Sequence, residues 1–229
     1  MCTVTFLPTA EGYIFTSNRD ETPERSSTPL SEREIGDHLI HFPKDPLAGG
    51  TWFATDATAF SLIILNGGFV KHKHRPSYRI SRGLVLLDFF KYRNVEKYVS
   101  DYDFDGVEPF TLVIAESQDE TIVHELVWDE KQLHHKIFHN PEPMIWSSST
   151  LYPDEVRNER KSWFEKWLTS KEERTQKNII EFHRSGGKGD AWNDFVMDRN
   201  GLVQTISITS IEMKDNVFAP IKHEELKRK

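Results

Sequence analysis

The chain has 229 residues, a formal net charge of −7 and a single cysteine. One cysteine allows no disulfide within the chain, no stretch approaches the ~20 apolar residues of a membrane span, and the negative charge argues against nucleic acid as a main partner. The length, with 37% hydrophobic and 28% charged residues, predicts one compact domain over residues 1–229. The single cysteine suits the cytoplasm, which is the expected location.

The predicted elements begin with a β-hairpin. Residues 2–7 alternate and are rich in β-branched side chains, residues 8–12 are typical of a turn, and residues 13–17 predict a second strand. Residues 22–37 are rich in Pro, Ser and Glu, so we expect a loop over the mouth of a site. Further strands are predicted at residues 39–42, 51–55 and 59–66.

Two helical blocks interrupt the remaining strands. Ser81 and Asn94 are residue types that cap helices, which predicts helices over residues 81–92 and 94–100. Strands are then expected at residues 110–115, 121–128, 131–138 and 144–148, helices at residues 154–168 and 171–184, and strands at residues 195–197 and 202–213. This order predicts an α+β fold.

Cys2 is the first candidate for chemistry, because it follows Met1 directly. Aminopeptidases remove an initiator methionine when the next side chain is small, which would leave a thiol and a free α-amine on one residue. The amine, with a reference pKa of about 8, would then act as general base for the thiol. The alternative is that Cys2 is a small apolar residue opening a strand.

The second strand ends in Asn18-Arg19-Asp20-Glu21, which the hairpin brings back beside Cys2. Arg19 would stabilise a thiolate, and Asp20 would hold the α-amine. Because neighbouring strand residues point to opposite faces, we expect only one of the two to face Cys2. The alternative is an ordinary polar turn.

Three further segments of the first 90 residues are candidates for a family signature. They are Gly49-Gly50-Thr51-Trp52-Phe53, Asn66 at the end of an apolar strand, and Ser81-Arg82-Gly83-Leu84-Val85. With Met1-Cys2 and Asn18-Arg19-Asp20-Glu21, they resemble the NRDE family, which includes the transport and Golgi organisation 2 proteins. The resemblance implies an N-terminal-nucleophile hydrolase fold, a four-layer αββα sandwich of mostly antiparallel sheets, as in penicillin V acylase and bile salt hydrolase.

In those enzymes an N-terminal cysteine attacks a linear amide, and the resemblance implies matching roles in this chain. The candidate catalytic residues are Cys2, Arg19, Asp20, Asn66 and Ser149. Asn66 precedes Gly67-Gly68, so its amide would donate to an oxyanion, although Asn-Gly-Gly is also ordinary turn chemistry. Ser149 or Ser148 stands where the acylases place a second oxyanion asparagine.

The chain also departs from the acylase pattern. Arg19 and Asp20 are adjacent, whereas the acylases place their Arg and Asp three residues apart. The segment over residues 189–194 lacks the arginine and the serine run that relatives carry there. These departures concern the catalytic role more than the fold.

Several residues are candidates for binding a substrate. They are Asn18, Trp52, Trp146, His72, His74 and Arg82. The basic loop over residues 71–75 would bind a phosphate or carboxylate, and the tryptophans would line an apolar pocket; the alternatives are a solvated loop and core packing. The ten histidines show no zinc spacing, so no metal and no cofactor are expected.

Two functions follow from the sequence. The first is a Cys2-dependent amidohydrolase or acyltransferase acting on a linear amide or acyl substrate. The second is a non-catalytic carrier or chaperone for a lipid, an acyl-CoA or haem on the same scaffold. The position of Cys2 favours the enzyme, whereas the adjacent Arg19 and Asp20 and the serine in place of an asparagine favour the carrier.

Overall fold

The computed structural model describes residues 2–26, 29–118, 120–170 and 173–226. In chain order the strands are β1 (Cys2–Thr9), β2 (Gly12–Glu21), β3 (Leu30–Ile35), β4 (His38–Pro43), β5 (Phe53–Thr55), β6 (Phe60–Asn66), β7 (Phe110–Ser117), β8 (Thr121–Trp128), β9 (Leu133–His139), β10 (Met144–Ser147), β11 (Gln204–Lys214), β12 (Val217–Phe218) and β13 (Lys222–Glu225). The α-helices are α1 (Arg82–Asp88), α2 (Val95–Asp101), α3 (Asp154–Leu168) and α4 (Gln176–Ser185). Short 3-10 helices cover Pro23–Arg25 and Phe89–Lys91.

The first compact unit comprises Met1–Ser26 and Glu142–Lys229. Its sheet has the strand order β10-β1-β2-β11-β12, and β13 also pairs with β11. All of these pairings are antiparallel, and β1 and β2 form the hairpin that the sequence predicts.

Helices α3 and α4 cover one face of this sheet. Leu7 of β1 and Ile14 of β2 pack in one buried cluster with Phe164 of α3 and Ile179 and Phe182 of α4. The last two are three residues apart, a spacing that places side chains on one face of a helix. This apolar cluster therefore fixes both helices on the sheet.

The second compact unit is Ser27–Pro141. Its sheet runs in chain order from β3 to β9, and each strand is antiparallel to the next. Phe60 of β6 meets Phe89 edge to face with ring centres 5.1 Å apart, and the Tyr98 hydroxyl of α2 donates to the Val85 carbonyl of α1 at 2.9 Å. The first contact packs the chain at the end of α1 on the sheet, and the second joins α2 to α1.

The predicted order of strands and helices is confirmed as far as β11, with two corrections, and the strands β12 and β13 were not predicted. The expected loop over residues 22–37 is wrong for Leu30–Ile35, which forms the edge strand β3 paired with β4. The strand predicted at residues 195–197 is also wrong: this segment is a loop, and Phe195 fills the buried cluster between the sheet and α3 and α4. The single domain over residues 1–229 stays a prediction.

The two predicted helix caps differ in their chemistry. Asn94 caps α2, since its side chain accepts from the backbone N–H of Lys97 at 2.7 Å. Ser81 occupies the N-cap position of α1, but its side chain makes no capping hydrogen bond. None of the described helices combines the length and apolar character that crossing a membrane requires.

Candidate active site

Cys2 lies at the start of β1, directly opposite Arg19 of β2. Side chains of directly paired strand residues share a face of the sheet, so Arg19 lies on the Cys2 face and Asp20 on the other. Both residues are buried, with Cys2 1% and Arg19 3% exposed. The Arg19 guanidinium also donates to the Arg25 carbonyl at 2.7 Å, which ties it to the chain after β2.

The surroundings of Cys2 favour the neutral thiol. Burial raises the pKa of Cys2, and the negative charge of Asp20 acts in the same direction. A hydrogen bond with the Ser17 hydroxyl and the positive charge of Arg19 lower that pKa but do not reverse the shift. Any nucleophilic role of Cys2 therefore requires a base that takes the thiol proton.

Asp20 lies on the face of the sheet that α3 and α4 cover, and it is fully buried. The Tyr152 hydroxyl donates to one carboxylate oxygen at 2.6 Å, and the Thr205 hydroxyl lies 2.7 Å from the other. Burial raises the pKa of Asp20, whereas the charge of Arg160 and these two hydrogen bonds lower it.

Asn18 precedes Arg19 and Asp20 in β2 and lies on the same face of the sheet as Asp20. Its amide N–H₂ donates to the carbonyls of His183 and Phe195 at 3.0 and 2.7 Å, and its carbonyl oxygen lies 2.6 Å from His183 Nδ1. These bonds join β2 to α4 and to the loop at Phe195. Asn18 thus has a structural role here, and its binding of substrate stays a prediction.

The end of β10 also lies beside Cys2. The backbone N–H of Ser148 donates to the Cys2 carbonyl at 3.0 Å, and Ser149 follows it, 7% exposed. Trp146 pairs with Val4, so it shares the Cys2 face of the sheet. The structure therefore brings Ser149 and Trp146 close to Cys2 in the first unit.

The other candidate residues belong to the second unit. Asn66 is the last residue of β6, opposite Phe110, and Trp52 is buried. His72, His74 and Arg82 share one partner: the first two lie 3.0 and 3.2 Å from Glu108 Oε1, and Arg82 lies 2.9 Å from Glu108 Oε2. This carboxylate offsets the positive charge of Arg82 and is a partner of both histidines, which weakens the case for an anion site there.

Two of the recognised segments touch each other in the second unit. The backbone N–H of Thr51 donates to the Gly83 carbonyl at 3.3 Å. A Cβ on Gly50 would lie 2.5 Å from the carbonyl carbon of Gly83, and a Cβ on Gly83 would lie 2.6 Å from the N and O atoms of Thr51. The glycines thus allow the chain before β5 to cross the start of α1, which is a structural role.

The sequence did not single out four buried polar residues of the first unit: Tyr152, Arg160, His183 and Thr205. The sequence does carry a signal for Arg160, since it lies four residues after Val156 and four before Phe164, at the spacing of one helix face. A cation at such a position predicts buried polar partners.

Ser207 of β11 is a further buried residue that the sequence did not reveal. It pairs directly with Arg19, so Cys2, Arg19 and Ser207 form a row across three adjacent strands. Across the described ranges, no three His, Cys, Asp or Glu side chains converge in a way that would hold a metal ion.

The fold is similar to that of solved N-terminal-nucleophile hydrolases. The Caenorhabditis elegans ortholog of N-acylethanolamine-hydrolyzing acid amidase matches with a TM-score of 0.61 at 11% identity, over 94% of each chain. Two variants of the conjugated bile acid hydrolase of Clostridium perfringens match with TM-scores of 0.55 and 0.54 at 11% and 9% identity, over 98% and 99% of this chain and 92% of theirs. The α+β, N-terminal-nucleophile hydrolase fold class expected from the sequence is confirmed.

The family follows from the sequence itself. The profile of the family described as Transport and Golgi organisation 2 matches residues 1–216. The chain therefore belongs to the Transport and Golgi organisation 2 family, which confirms the resemblance noted in its motifs. A search of curated proteins finds no match.

Proposed function

We propose that this protein is a cysteine-dependent amidohydrolase or acyltransferase whose nucleophile is Cys2 after removal of Met1. The observation that carries the proposal is the direct pairing of Cys2 with Arg19 on one face of a sheet, in an N-terminal-nucleophile hydrolase fold. The names of the structural neighbours describe hydrolases of N-acylethanolamines and of conjugated bile acids. We infer a substrate in which an amide joins an acyl group to a small amine.

The residues of the first unit would share the chemistry in the following way. The Cys2 thiol transfers its proton to the α-amine of the same residue, and the thiolate bonds to the amide carbon. The amine part of the substrate leaves with a proton from the α-ammonium, which leaves an acyl thioester on Cys2. Water, or another acceptor, then attacks the thioester and releases the acyl product and the thiol.

Arg19 and Asp20 would assist from opposite faces of β2. The positive charge of Arg19 stabilises the thiolate, and the Asp20 carboxylate accepts a hydrogen bond from the α-amine and orients it. Asn66 and Ser149 as donors to the oxyanion stay predictions from the sequence. A single donor of this kind is worth about 3 kcal/mol in the transition state.

The test is replacement of Cys2 by Ser. This change preserves the small side chain that permits Met1 removal, but an alkoxide is far harder to form than a thiolate. We expect turnover of a panel of N-acyl amides to fall by at least about a thousandfold, while affinity for a non-hydrolysable analogue, measured by calorimetry, stays within a few-fold. Mass spectrometry of the wild-type protein incubated with these substrates should detect an acyl group on Cys2.

Thr9→Ser is the matched control, because Thr9 is a half-buried residue at the far end of the same strand. It should leave turnover unchanged. Equal product formation by the Cys2→Ser protein would contradict the proposal.

The near-complete burial of Cys2 and the raised pKa of its thiol favour a second candidate, the non-catalytic carrier of a lipid, an acyl-CoA or haem. In that case Cys2→Ser would preserve delivery of the ligand, and no acylated Cys2 would form. The absence of Cys2-dependent product with every amide of the panel, together with saturable binding of one of these ligands, would establish the carrier.

A further inference from the structure

Arg160 of α3 is a cation without solvent exposure. Its guanidinium donates to the Asn193 carbonyl at 3.0 and 3.1 Å, to the Asp194 carbonyl at 2.6 Å and to the Thr3 hydroxyl. These direct acceptors are all neutral. A buried charge is costly without a nearby opposite charge, so the partner that balances Arg160 must lie beyond its own hydrogen bonds.

Tyr152 provides the link to that partner. The Arg160 guanidinium carbon lies 3.7 Å from the centre of the Tyr152 ring, a cation–π contact away from solvent. The hydroxyl of the same ring donates to the Asp20 carboxylate at 2.6 Å. Cation, aromatic ring and carboxylate thus form a continuous buried chain from α3 to β2.

Arg160 also reaches the strand that carries the nucleophile. Its bond to the Thr3 hydroxyl fixes the residue next to Cys2, on the face of β1 that looks toward α3. Thr3 in turn pairs with Asn18 of β2 and Ser147 of β10, so this bond acts at the centre of three strands.

We propose that Arg160 is a positioning residue for the Cys2 site: it balances the charge of Asp20 through Tyr152 and fixes the start of β1 next to Cys2 through Thr3. This role rests on the proposed function, in which Asp20 orients the Cys2 α-amine. Arg160 itself touches no reacting atom and acts through these two neighbours.

The groups that face Asp20 define what a titration would report. They are Tyr152 before α3, Arg160 on α3, the neutral Thr205 on β11, and the N-terminal ammonium; Asp20 in turn acts on the Cys2 thiol. Burial raises the pKa of Asp20, and the charge of Arg160 is the largest effect that lowers it. Removing that charge should therefore favour the protonated form of Asp20.

The experiment follows Asp20 directly by carboxyl carbon NMR of the full chain, with the signal assigned by its loss in Asp20→Asn. In Arg160→Gln we expect the titration midpoint of Asp20 to move upward by about one pH unit or more, a tenfold change in proton affinity. The acidic limb of the kcat/KM profile on N-acyl amides should move with it. In Arg160→Lys, which keeps the charge, the Asp20 midpoint and the acidic limb should both lie close to their wild-type positions.

Arg199→Gln is the matched control. Arg199 also lies over the Tyr152 ring, at 5.5 Å, but it is only half-buried and its charge is not among the main influences on Asp20. Its removal should shift neither the Asp20 midpoint nor the kcat/KM profile. Should Arg160→Gln fail to fold, Tyr152→Phe tests the step between the ring and Asp20, since it removes the hydroxyl from Asp20 and keeps the ring beneath the guanidinium.

An unmoved Asp20 midpoint in Arg160→Gln, or in Tyr152→Phe, would overturn the role of Arg160, as would an equal shift in Arg199→Gln. An upward shift without any Cys2-dependent product would support the link between Arg160 and Asp20 and count against the proposed function alone. The two ideas therefore fail separately.

Discussion

His183 of α4 is fully buried, and burial favours its neutral form. Asn18 donates both amide hydrogens to carbonyls, so its oxygen faces His183 Nδ1 at 2.6 Å and Nδ1 must carry the proton. The other ring nitrogen, Nε2, then accepts from the Thr5 hydroxyl at 2.7 Å. Burial lowers the pKa of His183 to about 3, and the charge of Arg160 acts in the same direction.

Because the pKa of His183 is lowered in the folded protein, we expect the free energy of unfolding to fall in acid. Below the ordinary histidine pKa of 6.5, the unfolded chain binds a proton that folded His183 does not bind until about pH 3. The contribution of His183 to the free energy of unfolding is therefore full above pH 6.5 and falls by about 1.4 kcal/mol for each pH unit below it, down to about pH 3. Urea unfolding between pH 4.5 and 7.5 measures this slope.

His183→Gln should reduce that slope by about one proton, because an amide can donate to Asn18 and accept from Thr5 without titrating. The exposed His139→Gln controls for the loss of a histidine from the chain. A slope that His183→Gln leaves unchanged would show that other groups cause the acid sensitivity.

Single residues were predictable where chain distance is short. The hairpin places Cys2 beside residues 18–20 because a tight turn fixes its register, so a sequence can identify the neighbours and leave only the face to be decided. Arg160 and Tyr152 reach Asp20 from more than 130 positions away along the chain. No local pattern encodes such a contact, and only the position of Arg160 within an apolar stripe hints at it.

At the scale of the elements, the chain before β5 crosses the start of α1 at close range, and Gly50 and Gly83 lie at the contact. Thr51 is fixed there, because its hydroxyl lies 2.7 Å from the Pro43 carbonyl and 2.8 Å from the Phe53 carbonyl. Gly83 lies in the first turn of α1, against this fixed backbone. The two recognised segments containing Gly50 and Gly83 are thus explained by packing.

Gly83→Ala tests this contact through the sign of its effect. Helix propensity alone predicts a gain of about 1 kcal/mol in the free energy of unfolding. The added Cβ would lie 2.6 Å from Thr51 backbone atoms, so we expect a net loss of about 1–3 kcal/mol from overpacking. Chemical denaturation measures the difference.

Ser100→Ala serves as the comparison, since Ser100 is exposed on α2, and the change raises helix propensity and removes only exposed hydrogen bonds to Lys97 and Asp101. It should be neutral or slightly stabilising. Stabilisation by Gly83→Ala would refute the close approach.

Elements were predictable in proportion to their burial. Strand β8 has the predicted bounds, Thr121–Trp128, and α3 the predicted Asp154–Leu168, because both carry regular apolar spacing. Edge strand β3 was missed because only its last residue, Ile35, is buried, so no alternating pattern marks it. The apolar residues 195–197 were mistaken for a strand because an apolar run also suits a loop that fills a core.

At the scale of the whole molecule, composition and element order predicted no more than an α+β protein. The N-terminal-nucleophile hydrolase fold came from several short segments recurring in order, most of which hold the fold together. Asn18 ties β2 to α4, and Gly50 and Gly83 permit a chain crossing. Such residues identify a scaffold reliably, whereas the substrate depends on side chains that vary between proteins of one fold.

The last prediction concerns the chain as a whole and its first residue. If Cys2 is the nucleophile, its nitrogen must be a free amine, because an amide nitrogen cannot accept the thiol proton, and burial makes the thiol a poor acid without such a base. We expect the intact mass of active protein to lack Met1. Protein released from a cleavable extension with Cys2 first should hydrolyse N-acyl amides, and the same protein released with Met1 first should be slower by orders of magnitude. Equal melting temperatures would show that folding is unaffected, and equal activity of the two forms would rule out the α-amine as the base.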